Sequence, residues 1–115
     1  MKSPNCKHMT IRIDGKKIKS YGDFIDEVQD KLFFPVECHG NPDQYLDWIR
    51  DLSWIEIDEL TIEIFHFAYF DAANKTDAQN VVNDIEDCVI PFWRESAVNC
   101  IVDGKLKKVR LIIEQ

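Results

Sequence analysis

The stretch Leu60 to Phe70, LTIEIFHFAYF, constrains the fold more than any other part of the chain. It is rich in β-branched and aromatic residues and apolar at almost every position. A half-solvated strand alternates apolar with polar. A run apolar throughout predicts a central strand covered on both faces. Alternation places Leu60, Ile62, Ile64 and His66 on one side of it, with Phe65 and Phe67 on the other.

Weaker signals flank this strand. Thr10 to Ile13 alternates and predicts a first strand, closed by an Asp14-Gly15 turn that Lys16 to Ile18 leaves. Ser20 is placed to cap a helix, with Asp23 standing where a capping box has Glu. Phe24, Ile25, Val28 and Leu32 supply its apolar stripe, and Pro35 ends it, so the helix is expected over 21–33. Beyond the central run, Asp71 to Lys75 reads as a loop. Asn74 or Thr76 then caps a helix from 77 to about 89, and Pro91 kinks the stripe or starts a second short helix to about Val98. Cys100 to Val102 and Leu106 to Ile113 flank Asp103-Gly104, a hairpin signal. Strands separated by helices require crossovers. The expectation is an α/β fold: a mostly parallel, three-stranded sheet carrying about four helices, with an antiparallel hairpin strand added at the C-terminal edge.

At 115 residues the chain is one domain, expected over 9–115 after a flexible N-terminus at 1–8. A domain of this size buries roughly two-thirds of its unfolded surface and needs no disulfide or metal to fold. Cys6, Cys38, Cys88 and Cys100 form no C-x-x-C pair, and the N-terminus has no apolar leader. No apolar stretch approaches the roughly 20 residues of a membrane span. These features predict a cytoplasmic protein with reduced, mostly buried thiols. The net charge of -7 argues against a nucleic-acid face and against an anionic membrane surface. It suits a cationic protein partner. From Glu37 to Glu59 there are seven acidic residues against Arg50 alone, whereas the first nineteen residues carry six basic residues against Asp14.

That acidity centres on His39 to Trp54, HGNPDQYLDWIRDLSW. A Gly40-Asn41-Pro42 turn leads into a short helix. Counted from Tyr45, residues Trp48, Ile49 and Leu52 share its inner side. Asp43 and Asp47 lie one turn apart on the outer side, with Asp51 a turn further on. Like charges at this spacing repel by a few tenths of a kcal/mol in an isolated helix. Asp43 and Asp47 as a general acid and base would need a desolvating cleft, which an outer helix face does not offer. Cys6, His8, Cys38 and His39 have zinc-type side chains but not the usual ligand spacing. No nucleophile motif surrounds Cys38 or Cys88, His66 suits a hydrogen-bonded sheet position, and there is no phosphate-binding glycine loop. No cofactor, metal or enzymatic activity is therefore expected. The reading that uses the carboxylates is protein binding. Fixed acidic groups on one helix face can enter a cationic groove and stand where the phosphates of a nuclease substrate would lie.

The segment GKKIKSYGDFIDEVQDKLFFPVECHGNPDQYLDWIRDLSW resembles the N-terminal half of the barstar family of ribonuclease inhibitors. Asn41, Asp43 and Asp47 match its N-x-D-x-x-x-D helix, and Asp51, Leu52 and Trp54 match the D-L-x-W that follows. The likeness is close over roughly residues 9–70 and holds in outline beyond. The loop VECHG and Leu46 stand where barstar has aromatic residues. The resemblance implies a monomeric immunity protein that binds a cationic ribonuclease or related nuclease toxin one-to-one and plugs its active site. By position, Asp43 and Asp47 would be the main anchors. Glu37, His39, Asn41, Pro42, Gln44 and Leu46 would be neighbouring contacts, and FWRES points to Glu95 as a further one. The alternatives are an interaction module of the same fold without a nuclease target, and a small hydrolase using Asp43 and Asp47.

Overall fold

The computed structural model describes residues 7–96 and 106–115. The elements run β1 (His8–Asp14), a 3-10 turn (Gly15–Lys17), α1 (Tyr21–Lys31), α2 (Pro42–Ile49), β2 (Glu59–Phe65), α3 (Phe67–Ala73), α4 (Lys75–Asp84) and β3 (Lys108–Ile113). Two π-helical segments, Ile85–Val89 and Phe92–Ser96, continue α4. The sheet order is β1-β2-β3, with β2 in the middle and parallel to both neighbours. The expected α/β class and parallel sheet are therefore observed. β1 begins two residues before the expected Thr10. The Cys100 to Val102 arm of the expected hairpin and its Asp103-Gly104 turn lie outside the described residues.

The central run divides where a single strand was expected. β2 stops at Phe65, His66 takes a left-handed conformation with φ 53°, and Phe67–Ala73 forms α3. Length decides the break. β1 ends opposite Phe65 at Asp14, and the last β2–β3 partners are Ile64 and Ile113. A longer β2 would leave its ladder groups without partners. The turn is fixed from two sides. Asp14 meets His66 Nδ1 at 3.0 Å, and the Phe67 amide donates to the Glu114 carbonyl at 2.9 Å. Gly15 lies beneath this junction, where a Cβ would strike the His66 carbonyl.

Among the described residues the sheet is covered by helices on one face only, which corrects the second expectation for β2. Leu60, Ile62 and Ile64 are fully buried, while Thr61, Glu63 and Phe65 are half-buried. On the open side Arg12 lies 4.5 Å above the Phe65 ring and donates to Glu63 at 2.9 Å. The core is the other face. There Ile11, Ile13 and Val109 join the β2 residues against Phe24, Ile25 and Val28 of α1, Phe70 of α3, Val81 of α4, and Trp93.

Local chemistry sets most helix ends. The Asp23 amide donates to Ser20 Oγ at 3.1 Å, and the Asp23 carboxylate accepts from the Lys19 amide at 2.9 Å. This is the expected capping box, shifted back by one residue. α1 ends at Lys31, and Phe33 with φ 54° turns the chain away before Pro35 is reached. Asn74, not Thr76, caps α4 through the Asp77 amide at 3.1 Å. The expected loop from Asp71 to Lys75 reduces to that one residue between α3 and α4. Pro91 does not start a new helix, and the expected end of the second helix near Val98 lies outside the described residues. Pro91 has no N–H for the regular ladder, and the chain passes it between two widened π-helical turns.

Candidate functional site

Three ties fix α2 in orientation. The Asn41 side-chain oxygen accepts from the Asp43 amide at 2.9 Å and the Gln44 amide at 3.2 Å, with Pro42 at the first helical position. Before the cap, Cys38 to Asn41 form a tight turn in which His39 (φ 51°) and Gly40 (φ 71°) are both left-handed, closed by a 2.9 Å bond from the Asn41 amide to the Cys38 carbonyl. Gly40 packs backbone against backbone on Gly22 of α1, where a Cβ on Gly40 would sit 3.4 Å from the Gly22 Cα. At the other end, Trp93 Nε1 donates to the Ile49 carbonyl at 2.9 Å, and Arg50 Nε donates to the Leu46 carbonyl at 3.1 Å.

The inner face of α2 is anchored by Tyr45 and Ile49, both fully buried. Tyr45 meets Tyr21 and Phe24 edge to face at 5.9 and 5.8 Å. Burial pushes both tyrosine hydroxyls well above their ordinary pKa, so each is a neutral phenol. Tyr21 donates to Asp84 at 2.7 Å, whereas the Tyr45 hydroxyl has no partner among the described residues. Trp48 is only half-buried. It packs edge to face on Trp54, whose indole N–H donates to the Leu32 carbonyl at 2.8 Å.

Asp43 and Asp47 both lie on the exposed outer face. Among the described residues Asp43 has no cation within ion-pair distance, and Asp47 has Arg50 at 3.7 Å. The acidic stretch therefore separates into two parts. Glu56 is met by Lys7 at 3.1 Å, Asp58 accepts from the Lys7 amide and Glu59 from His8, while the α2 carboxylates face outward. Asp51 is not one turn further along the same helix, because α2 ends at Ile49. Its carboxylate accepts from the Ser53 amide at 3.1 Å.

The remaining expected contacts fall around this helix in different ways. Glu37, His39, Pro42 and Gln44 are exposed, and Glu37 approaches His39 at 3.9 Å. Asn41 is also exposed, but its oxygen sets the first helical turn. Leu46 is half-buried and packs on the core. Glu95 follows Trp93, which ties its segment to the end of α2, and it is exposed with Arg94 at 3.3 Å. Cys38 is buried in the loop, and its amide donates to Gln29 at 2.6 Å. Desolvation, with a smaller contribution from Asp26, raises its pKa, which leaves an unreactive thiol.

Sequence reasoning missed one feature here. A depression of about 440 Å³ lies beside α2, lined by Val36, Gln44, Asp47, Trp48 and Asp51. Among the described residues no group of three or more His, Cys, Asp or Glu could hold a metal ion, and no helix is long and apolar enough to cross a membrane.

The fold is a parallel sheet with a helical face and a clamped helix that carries two outward carboxylates. Residues 8–103 match the family described as Barstar (barnase inhibitor), and the chain belongs to that family. The match runs from β1 through the Phe92–Ser96 segment and stops short of β3. No curated protein matches the chain.

Proposed function

We propose that this protein is an intracellular immunity protein. It binds a cationic ribonuclease or related nuclease toxin one-to-one, as a monomer, and plugs the active site with α2. The observation that carries this reading is the pair Asp43 and Asp47, exposed on a helix anchored by the fully buried Tyr45 and Ile49. A nuclease active site gathers cations to stabilise a phosphate-centred transition state. Carboxylates held before docking meet those cations without a large ordering cost. Glu37, His39, Pro42 and Gln44 border the pair, and Glu95 supplies a further carboxylate from the last helical segment. Asn41 serves the site by fixing the helix.

The test is RNA cleavage by barnase, and by any basic secreted nuclease encoded beside this chain's gene, with one equivalent of the protein added. Cleavage is expected to stop. Association should slow by roughly tenfold or more as salt rises, since the encounter is electrostatically steered. Asp47→Ala should cost about 2 kcal/mol or more of affinity, chiefly as a faster off-rate. Inhibition that survives Asp43→Ala and Asp47→Ala together would show that α2 is not the plug. If no nuclease in the set is inhibited, the chain is an interaction module of the same fold.

A further inference from the structure

We propose that the depression beside α2 receives one arginine side chain projected by the partner. The nuclease identity of that partner rests on the reading above, but the chemistry of the depression does not. Its walls combine three properties that suit a guanidinium. Asp47 is 79% exposed, and Asp51 commits one oxygen to the Ser53 amide, so both carboxylates retain acceptor capacity. Trp48 supplies an aromatic wall, held by Trp54 at 5.5 Å with the rings nearly perpendicular. Val36, 54% exposed, supplies an aliphatic lip from the loop before α2.

A guanidinium is planar, donates through a rigid fork and stacks on aromatic faces. Its three-carbon stem is apolar and lies well against valine and indole. The depression's volume is within the range of about 300–1,000 Å³ usual for small-ligand sites. Among the described residues the cation paired with Asp47 does not line the depression: Arg50 reaches Asp47 only at 3.7 Å and spends its Nε on the Leu46 carbonyl. A lysine would fit less well, because its point charge cannot bridge two carboxylates and stack at the same time. Trp48, Asp51 and Val36 thus become specificity-determining residues, distinct from the outward pair Asp43 and Asp47.

The experiment titrates N-acetyl-arginine amide into the full chain and follows ¹⁵N–¹H shifts. Parallel titrations use the citrulline and lysine analogues. Saturable shifts in the millimolar range are expected at the Trp48 indole N–H and at the Gln44 and Asp51 amides. The neutral citrulline analogue, of the same shape, should bind about tenfold more weakly or worse, having lost the charge-assisted bonds. Asp51→Asn keeps an acceptor for the Ser53 amide and should weaken the arginine probe by roughly fivefold. Val36→Ser should weaken it too, and Glu86→Gln, at an exposed residue outside the lining of the depression, should not. Trp48→Leu is the stronger perturbation, but Trp48 also packs on Trp54, so the Asp51 and Val36 variants decide. Equal shifts from arginine and citrulline, or non-saturating shifts spread over all carboxylates, would overturn the proposal. The two readings fail separately. A nuclease complex abolished by Asp43→Ala but indifferent to Asp51→Asn removes the arginine receptor and leaves the inhibitor. Probe binding without inhibition of any nuclease does the reverse.

Discussion

Removing the hydroxyl of Tyr45 should make this protein more stable, although the residue is fully buried in the helix that carries the site. Tyr45 is 0% exposed, and its hydroxyl has no hydrogen-bond partner among the described residues. An unpaired buried hydroxyl costs about 1–3 kcal/mol in proteins. Tyr45→Phe removes that penalty and forfeits only the few dispersion contacts of one oxygen, at about 0.1–0.2 kcal/mol each. The net expectation is a gain of about 1 kcal/mol. In a domain of this size that is a rise in Tm of roughly 4 °C. Tyr21 provides the contrast, its ring only 5.9 Å away. Its hydroxyl donates to Asp84 at 2.7 Å, so Tyr21→Phe should lose about 1.5 kcal/mol, the lower end for a bond to a charged acceptor. Urea unfolding read by tryptophan fluorescence separates the two, with opposite shifts in midpoint at constant slope. A Tyr45→Phe variant that loses 1 kcal/mol or more would show that the hydroxyl is satisfied and that this account of the α2 anchor is wrong.

Two further predictions concern the ends of elements. Asn41→Ala removes both cap bonds at the start of α2 and should cost about 1 kcal/mol, measured as a lower urea midpoint. Asp14 has a lowered pKa, first because the Lys16 amide donates to it and then because of His66. A carboxylate with a depressed folded pKa adds stability above its unfolded value of 3.8, and that stability is lost as pH falls through the folded value. Asp14→Asn should therefore narrow the stability difference between neutral pH and pH below 4. An unchanged acid limb of the stability–pH curve would count against both the Lys16 amide bond and the His66 contact as stabilisers of the Asp14 carboxylate.

What was legible in the sequence was what local chemistry decides. Ser20 and Asp23 announced α1, because caps act within one turn, whereas Gly40-Asn41-Pro42 reads in sequence as a turn and the structure adds that Asn41 caps α2. The strand–helix alternation gave the parallel sheet. What was illegible depended on distant contacts or on backbone that glycine did not mark. Among the described residues, four with left-handed φ are not glycine: Phe33, His39, Leu52 and His66. His66 divides an apolar run that suits strand and helix equally, so α3 was hidden inside a predicted strand. The outward Asp43–Asp47 pair followed from helical spacing alone. The depression did not, since Val36 comes from the preceding loop and Asp51 from beyond the helix end.

The two carboxylates also differ in what they ask of the fold. α2 has eight residues, too few to persist alone, so tertiary ties must hold it while it carries like charges one turn apart. Asp43 is in the first turn, where the helix dipole favours an anion by about 0.3–1 kcal/mol. That roughly offsets its repulsion with Asp47, a few tenths of a kcal/mol. Asp47 stands two residues from the C-terminal end, where the dipole disfavours it, and its pair with Arg50 is long at 3.7 Å. Asp47→Ala should therefore leave stability unchanged or raise it by a few tenths of a kcal/mol, on the same reckoning. Asp43→Ala should lower it slightly. Under the proposed function, the loss in binding on Asp47→Ala and the small need for Asp47 in folding fall on the same residue. A urea midpoint showing Asp47→Ala to be the more destabilising change, by 1 kcal/mol or more, would assign Asp47 a structural task instead.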